Sequence, residues 1–340
     1  MTVKLAFVGF GGVGQALVRL LEEKQTMPFQ VVAVSDMLKG SLYDPSGLDV
    51  QKLLEAGKSG SLDSYQDRQV ARGLTSLQTI KDTNADVIVE VTYTNVVTGQ
   101  PAIDHVRVAF EAGKSVVTTN KGPLALAYKE LSELAEANNC YFGFEGTVMS
   151  GTPALRLPLE TLVGNDIKEI RGILNGTTNY MLTEMEKGLS YEEALKQAQA
   201  YGYAEADPTS DVEGYDARYK AVILANVVLG KELAVDDVTC TGITSVTSDD
   251  LKEAIKAKKR IRLIASITQE GSEVTAKVQP ERIDETDPLA TVAGATNAIL
   301  YDCDLAGPIF LTGAGAGLTE TGFSLLIDLV HYQKRFITVN

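Results

Sequence analysis

The first 36 residues restrict the fold more than any other stretch of the chain. Val3-Lys-Leu-Ala-Phe-Val8 is a short apolar run ending in glycine, the pattern of a strand buried in a parallel sheet. Gly9-Phe10-Gly11-Gly12-Val13-Gly14 follows directly, and Val13 to Lys24 shows helical periodicity through Leu17, Leu20 and Leu21. A second strand, Phe29 to Ser35, ends at Asp36, 22 residues after the last glycine. Strand, glycine turn, helix, strand and acid in this order form a dinucleotide-binding fingerprint. Gly9 allows the tight turn, Gly11 lets the backbone approach a pyrophosphate, and Gly14 lets the helix pack on the strand. The helix N-terminus turns amide donors and a positive dipole towards the phosphates. Asp36 is placed to accept from a ribose 2′-hydroxyl and to repel a 2′-phosphate, a repulsion that Lys39 could offset.

Residues 37–80 are rich in Gly, Ser and Asp and read as a long surface excursion with one helical stretch around Val50–Ala56. Alternation then resumes: strand Ala85–Val91, helix Pro101–Gly113, strand Ser115–Thr119, helix Pro123–Asn138 and strand Cys140–Phe144. These repeats continue a doubly wound sheet. After Gly151 the pattern changes. A strand at Ile167–Leu174 precedes helices at Thr177–Lys187 and Tyr191–Tyr201 and a third that contains Lys220. Strands follow at Arg260–Thr268, Val274–Gln279, Ala298–Cys303 and Ile309–Thr312, then a last helix at Thr319–His331. The expected fold is α/β: an N-terminal Rossmann-type doubly wound sheet plus an α+β substrate and dimerisation domain. The first domain is expected over 1–150, with 313–340 returning to it, and the second over 151–312.

Composition narrows the partners. A 340-residue chain with 44% apolar and 22% charged residues suits a globular protein of about two domains. Thirty-one basic against 45 acidic residues give a net charge of −14 with no long basic run, which disfavours nucleic acid and anionic membrane surfaces. No apolar run approaches a membrane span, and the chain enters a strand at Val3 with no room for a signal peptide. Cys140, Cys240 and Cys303 are odd in number, far apart and in no metal-ligand spacing, so a reduced, cytoplasmic setting is expected. His105 and His331 both read as structural or surface residues. Proton chemistry therefore falls to lysines and carboxylates.

Asp216 and Lys220 stand four residues apart, one turn above the other on a helix face that continues through Ile223, Leu224 and Val227. On spacing alone this is an ordinary helix pair. A lysine at the rim of a buried helix beside a carboxylate is also a candidate acid–base group, because desolvation lowers its pKa. The carboxylate opposes that shift, so from the residues alone Lys220 is either neutral and proton-accepting or charged and electrostatic. Thr118-Thr119-Asn120-Lys121-Gly122-Pro123 ends a Rossmann-type strand at the edge where ligands bind, so Lys121 either points into the cofactor–substrate crevice or is a solvated lysine at the mouth of a loop. Pro123 suits a first helical position. In Asn175-Gly176-Thr177, Thr177 is a good N-cap, and free amides at that helix end could hold a substrate carboxylate. Gly313-Ala-Gly315-Ala-Gly317 permits close backbone approach to a ligand.

With these blocks in view the chain resembles homoserine dehydrogenase over nearly its whole length. The resemblance rests on residues 9–14, Glu90-Val-Thr92-Tyr-Thr-Asn95, 116–123, 175–180, Glu205 with Asp211–Lys220, and 313–317, in the family's order. It implies NAD- or NADP-dependent interconversion of L-aspartate 4-semialdehyde and L-homoserine, in threonine and methionine biosynthesis. It implies Lys220 as the acid–base residue and Lys121 near the reacting carbonyl and nicotinamide. Glu205 and Asp216 would hold the substrate amino group and hydroxyl, with Asp211, Asn175, Gly176 and Thr177 in the same substrate set. Thr92, Gly315 and Gly317 join the glycine turn and Asp36 on the cofactor side. A structural Na+ or K+ would map to Glu145, Val148, Ser150 and Thr152, although Glu145-Gly-Thr-Val-Met149-Ser150-Gly-Thr152-Pro departs from the family's glycine-rich stretch there. The chain stops about 20 residues after the last glycine block, so neither a C-terminal regulatory extension nor a fused aspartate kinase is expected. A homodimer or dimer-based oligomer insensitive to threonine is expected.

Two other readings stand beside this one. An aspartate-semialdehyde dehydrogenase would need an activated cysteine with a histidine partner, which neither Cys140 nor the histidines supply. A non-catalytic NAD(P)-sensing regulator would keep the glycines but have no need of Lys220, Asp216 and Glu205.

Overall fold

β1 (Val3–Val8) sits inside a six-stranded sheet, and its alternating side chains divide between two cores. Val3, Leu5 and Phe7 point to one face and Ala6 and Val8 to the other, as the period of two in a strand requires. The computed structural model describes residues 2–67 and 69–336. They form two units: one runs to Gly151 and resumes at Gly317, and the other is Thr152–Ala316.

In the first unit β1 leads through α1 (Gly12–Lys24) to β2 (Phe29–Asp36), β3 (Gly40–Tyr43), α2 (Val50–Ser59) and α3 (Ser76–Asp82). Then come β4 (Val87–Glu90), α4 (Ala102–Glu111), β5 (Ser115–Thr118), α5 (Lys121–Leu126), α6 (Tyr128–Ala137) and β6 (Phe142–Gly143). The strand order β3-β2-β1-β4-β5-β6 is that of a Rossmann sheet, parallel except for β3, which runs antiparallel to β2. Two expectations need correction here. Residues 37–80 are not a bare excursion, because β3 and α3 lie in them; β3 is a four-residue edge strand, too short for alternation to show. The segment 123–138 is not one helix. It starts at Lys121, with the Asn120 side chain accepting from the Gly122 amide, and breaks at Ala127. Pro123 is thus third in the helix, where its missing N–H still costs nothing.

The second unit contains β7 (Ile167–Ile173), α7 (Gly176–Glu186), α8 (Tyr191–Ala200), α9 (Thr209–Val212) and α10 (Tyr215–Val228). It continues with β8 (Thr239–Cys240), α11 (Ser248–Lys256), β9 (Lys259–Glu270), β10 (Glu273–Asp284), β11 (Thr296–Cys303) and β12 (Gly307–Ala314). Its sheet runs β12-β11-β7-β9-β10-β8, antiparallel but for the short β8–β10 pair. The expected α+β order is present, with α9 and α11 added. The second boundary differs from expectation: 313–316 stay with the second unit, since β12 pairs with β11 as far as Ala314. α12 (Leu318–Phe336) belongs to the first unit, where Leu325, Leu326 and Leu329 share a core with Leu17 and Leu21 of α1. Gly322 brings the two helices close; a Cβ there would lie 3.1 Å from that of Ala16.

Candidate active site

The glycine turn of the first unit is built as its sequence suggests at two positions. Gly9 has φ +87° and a Cβ there would come within 2.6 Å of the Val91 carbonyl oxygen, so only glycine fits. Nothing lies within 4 Å of the Cβ position of Gly11, and α1 starts immediately after it with no side-chain cap on its amides. An open glycine face and uncapped amides suit a pyrophosphate. Gly14 is less constrained than the pattern implies. A Cβ there would make ordinary contacts with Phe10 at 3.4 Å and Phe7 at 3.5 Å. Gly12 lies under Leu318 and Val13 packs on the core. Asp36 braces the turn, accepting from Phe10 N at 2.8 Å through one oxygen and from Leu38 N and Lys39 N through the other. The Lys39 ammonium donates to the Phe10 carbonyl at 2.6 Å. The lysine offered as a counterweight to Asp36 therefore reaches the same turn.

At the far end of that sheet edge, Asn120 joins two strands: its side-chain amide donates to the Thr92 and Tyr93 carbonyls, while its backbone N–H donates to the Thr118 hydroxyl. Lys121 is the half-buried first residue of α5.

The second unit holds the lysine–carboxylate cluster. α10 is buried by Val222, Ile223, Leu224 and Val227, each worth roughly 1.5–3 kcal/mol as an upper estimate. The Asp216–Lys220 pair would give only a few tenths of a kcal/mol on an exposed helix. Packing, then, decides where the helix lies, and it carries Lys220 to a position 6% exposed. The ammonium donates to Asp216 Oδ2 at 2.6 Å and to the Leu174 carbonyl at 2.6 Å, where β7 leads into α7. Asn175 Nδ2 donates to Asp216 Oδ2 at 3.0 Å and to Asp211 Oδ1 at 2.7 Å. Burial pushes the Asp211 carboxyl above the usual range and the Asp216 charge adds to this. Hydrogen bonds from Asn175 and Thr177 and the Lys220 charge pull the other way. The cap of α7 is Asn175, whose Oδ1 accepts from Thr178 N, and not Thr177, whose hydroxyl donates to the Tyr203 carbonyl. Gly176 is the first helical residue, and a Cβ there would lie 2.7 Å from the Ala295 carbonyl oxygen. Glu205 is exposed and outside this network.

Gly315 and Gly317 have packing reasons within their own units. A Cβ at Gly315 would collide with the Asn297 carboxamide, and Gly317 has φ +133° beside Glu320. Asn297, fully buried beside Gly176 and Gly315, was not foreseen, because nothing in its local sequence marks it.

Of the cation residues, Glu145 is 3% exposed, and its backbone N–H donates to the buried carboxylate of Asp328 at 3.1 Å. Val148 is buried, and Met149 and Ser150 are consecutive left-handed residues at φ 57° and 52°. The Ser150 and Thr321 hydroxyls are 2.8 Å apart. Thr152 lies in the other unit and donates to the Ala314 carbonyl at 3.2 Å. Burial pushes the thiols of Cys140, Cys240 and Cys303 up, away from nucleophilic thiolate character.

A Rossmann sheet with an open glycine turn, joined to a second unit carrying a buried lysine among carboxylates, defines an NAD(P)-linked dehydrogenase. The comparisons agree. The homoserine dehydrogenase family model matches residues 153–330, and its NAD-binding domain matches 9–145. The NAD(+)-dependent homoserine dehydrogenase of Pseudomonas canavaninivorans is 45% identical, over 97% of this chain and 96% of its own. A crystal structure described as a putative homoserine dehydrogenase from Archaeoglobus fulgidus superposes with TM-score 0.87 at 36% identity, covering 97% of this chain and 99% of that one. A hyperthermophilic archaeal homoserine dehydrogenase mutant in complex with NADPH gives 0.85 at 30%, covering all of both chains. The chain belongs to the homoserine dehydrogenase family.

Proposed function

We propose that the protein interconverts L-homoserine and L-aspartate 4-semialdehyde with Lys220 as its acid–base residue, a step of threonine and methionine biosynthesis. The observation that carries this is the buried Lys220 ammonium, fixed by Asp216 and the Leu174 carbonyl. An ammonium has three donors; two are used here, and the third is available to a substrate oxygen. Reduction adds a hydride to the aldehyde carbon and a proton to its oxygen. The dinucleotide, when bound, supplies or takes the hydride. Lys220 gives the proton as negative charge builds on that oxygen and takes it back in the reverse direction. Asp216 orients Lys220 and accepts from the substrate, while Asn175, Gly176 and Thr177 present the α7 N-terminus to the substrate carboxylate. Asp211 fixes Asn175, and Glu205 takes the amino group.

The first unit holds the dinucleotide at Gly9–Gly14, Asp36 and Thr92, with Lys121 on the nicotinamide side and the glycines at 315 and 317 shaping the return of the chain. Glu145, Val148, Ser150 and Thr152 would hold a monovalent cation, which two buried acids, Glu145 and Asp328, suit. Among the described residues no helix is long and apolar enough to cross a membrane, and the three cysteines are free; both fit a cytoplasmic enzyme. β12 is an edge strand through which a homodimer or dimer-based oligomer would form. Homoserine oxidation should be measured against glutamate and malate as controls. Turnover of homoserine alone is expected, and none would overturn the reading.

A further inference from the structure

Glu90, the last residue of β4, is 0% exposed and lies outside every role assigned above. Its Oε1 accepts from the Thr92 backbone N–H at 3.2 Å and from the Thr92 hydroxyl, and it faces His105 Nδ1 at 3.4 Å. His105 is 3% exposed, and its Nε2 lies 3.0 Å from the Ser76 hydroxyl. Because a carboxylate only accepts, His105 donates to it through Nδ1, while Nε2 meets the Ser76 hydroxyl. The other carboxylate oxygen is 3.1 Å from the Thr118 hydroxyl, which also donates to the Glu90 carbonyl at 2.8 Å. Thr118 Oγ1 in turn accepts from Asn120 N, and the Asn120 side chain closes the circuit to the Thr92 and Tyr93 carbonyls and to Gly122 N. Elements α3, α4, β4, β5 and α5 thus meet at one buried carboxylate.

A buried charge is unfavourable where an apolar side chain of similar volume would pack as well. What this one gains is placement of the carboxyl ends of two adjacent strands, the edge where a Rossmann sheet binds its ligand. We propose that Glu90, braced by His105, is a positioning residue that preorganises Thr92, Asn120 and the start of α5 at Lys121 for the nicotinamide half of the dinucleotide. This rests on the reading of the first unit as the dinucleotide site. Glutamine at 90 keeps the volume but removes the charge and turns one of the two acceptor positions, towards Thr92 or towards Thr118, into an N–H donor.

The test is calorimetric titration of the apo protein with NAD+, beside steady-state kinetics on homoserine. Glu90→Gln should weaken NAD+ binding about tenfold and lower kcat by a similar factor, with the homoserine KM at saturating NAD+ within about twofold of wild type. Thr118→Val, which removes the hydroxyl between Glu90 and Asn120, should move the same quantities in the same direction, and Thr118→Ser should restore them. A folded Glu90→Gln protein with wild-type NAD+ affinity and kcat would overturn the proposal. If Glu90→Gln does not fold, Thr118→Val decides, and wild-type NAD+ affinity there overturns it equally. Failure of the wild-type protein to bind NAD+ would instead overturn the dinucleotide site. NAD+ binding without homoserine turnover would overturn only the reaction, leaving the titrations to judge Glu90.

Discussion

Lys220 Nζ lies 2.6 Å from Asp216 Oδ2, one helical turn away, and the same carboxylate oxygen accepts from Asn175 at 3.0 Å. The pair that spacing suggested is therefore tied to a second element. Lys220 bonds the last carbonyl before the α7 cap and Asp216 bonds the cap itself. The proposed acid–base group and the helix end proposed to face substrate are positioned together.

Asn175 should be costly to remove. Asn175→Ala deletes the α7 cap and the bridge between Asp211 and Asp216, leaving Lys220 and Thr177 as donors to the two carboxylates. Loss of the cap alone is expected to lower stability by about 0.5–2 kcal/mol, and the homoserine KM should rise with it. Urea unfolding and substrate kinetics check the two effects separately.

Asp211 makes a pH prediction. Its folded pKa is raised, chiefly by burial, so above the unfolded value of about 3.9 the unfolded chain releases this proton first. The contribution of Asp211 to stability therefore falls as pH rises from there through its folded pKa. Asp211→Asn cannot ionise, and the difference in unfolding free energy between variant and wild type should shift in the variant's favour over that window. A difference that does not change with pH would contradict the burial argument.

Arg262 is 2% exposed, donates to Glu186 at 2.7 Å and to the Ala290 and Val292 carbonyls, and so ties α7 to β9 and the segment after β10. Arg262→Ala leaves Glu186 and those carbonyls without their partner. Breaking a buried pair in this way should cost about 3–5 kcal/mol, readable as a lowered urea midpoint.

Asp36 ends β2, where the acid of a dinucleotide-binding fold accepts from the ribose 2′-hydroxyl. NAD(H) should serve at least as well as NADP(H), and Asp36→Ser should move the ratio of kcat/KM values towards NADP(H) by about tenfold. Steady-state constants for both cofactors check this; a wild-type enzyme strongly preferring NADP(H) would show that Lys39 dominates.

Much of this was legible before the structure. Runs such as Val3–Val8 and the Asp216–Lys220 spacing state their geometry locally, because strand and helix periods are properties of consecutive residues. What escaped is non-local. β3 is too short to show alternation, and α5 and α6 hide in one helical pattern broken only by the backbone of Ala127. Thr177 looked the better cap, yet Asn175 takes the place because its second donor can bridge Asp211 and Asp216, 36 and 41 residues away. His105 reads from sequence as a structural or surface residue; it is buried, and only the fold shows its partner to be Glu90, at the end of the preceding strand. Asn297 and Asp328 carry no signal at all until Gly315 and Glu145 are placed beside them.

Turnover of Lys220→Ala decides whether Lys220 moves the proton. Its kcat for homoserine oxidation should be lower by about 10²–10⁴-fold, with NAD+ affinity nearly unchanged because the nucleotide turn is in the other unit. A folded Lys220→Ala enzyme that keeps more than about a tenth of wild-type kcat would contradict that role and reduce the Asp216–Lys220 pair to a structural contact.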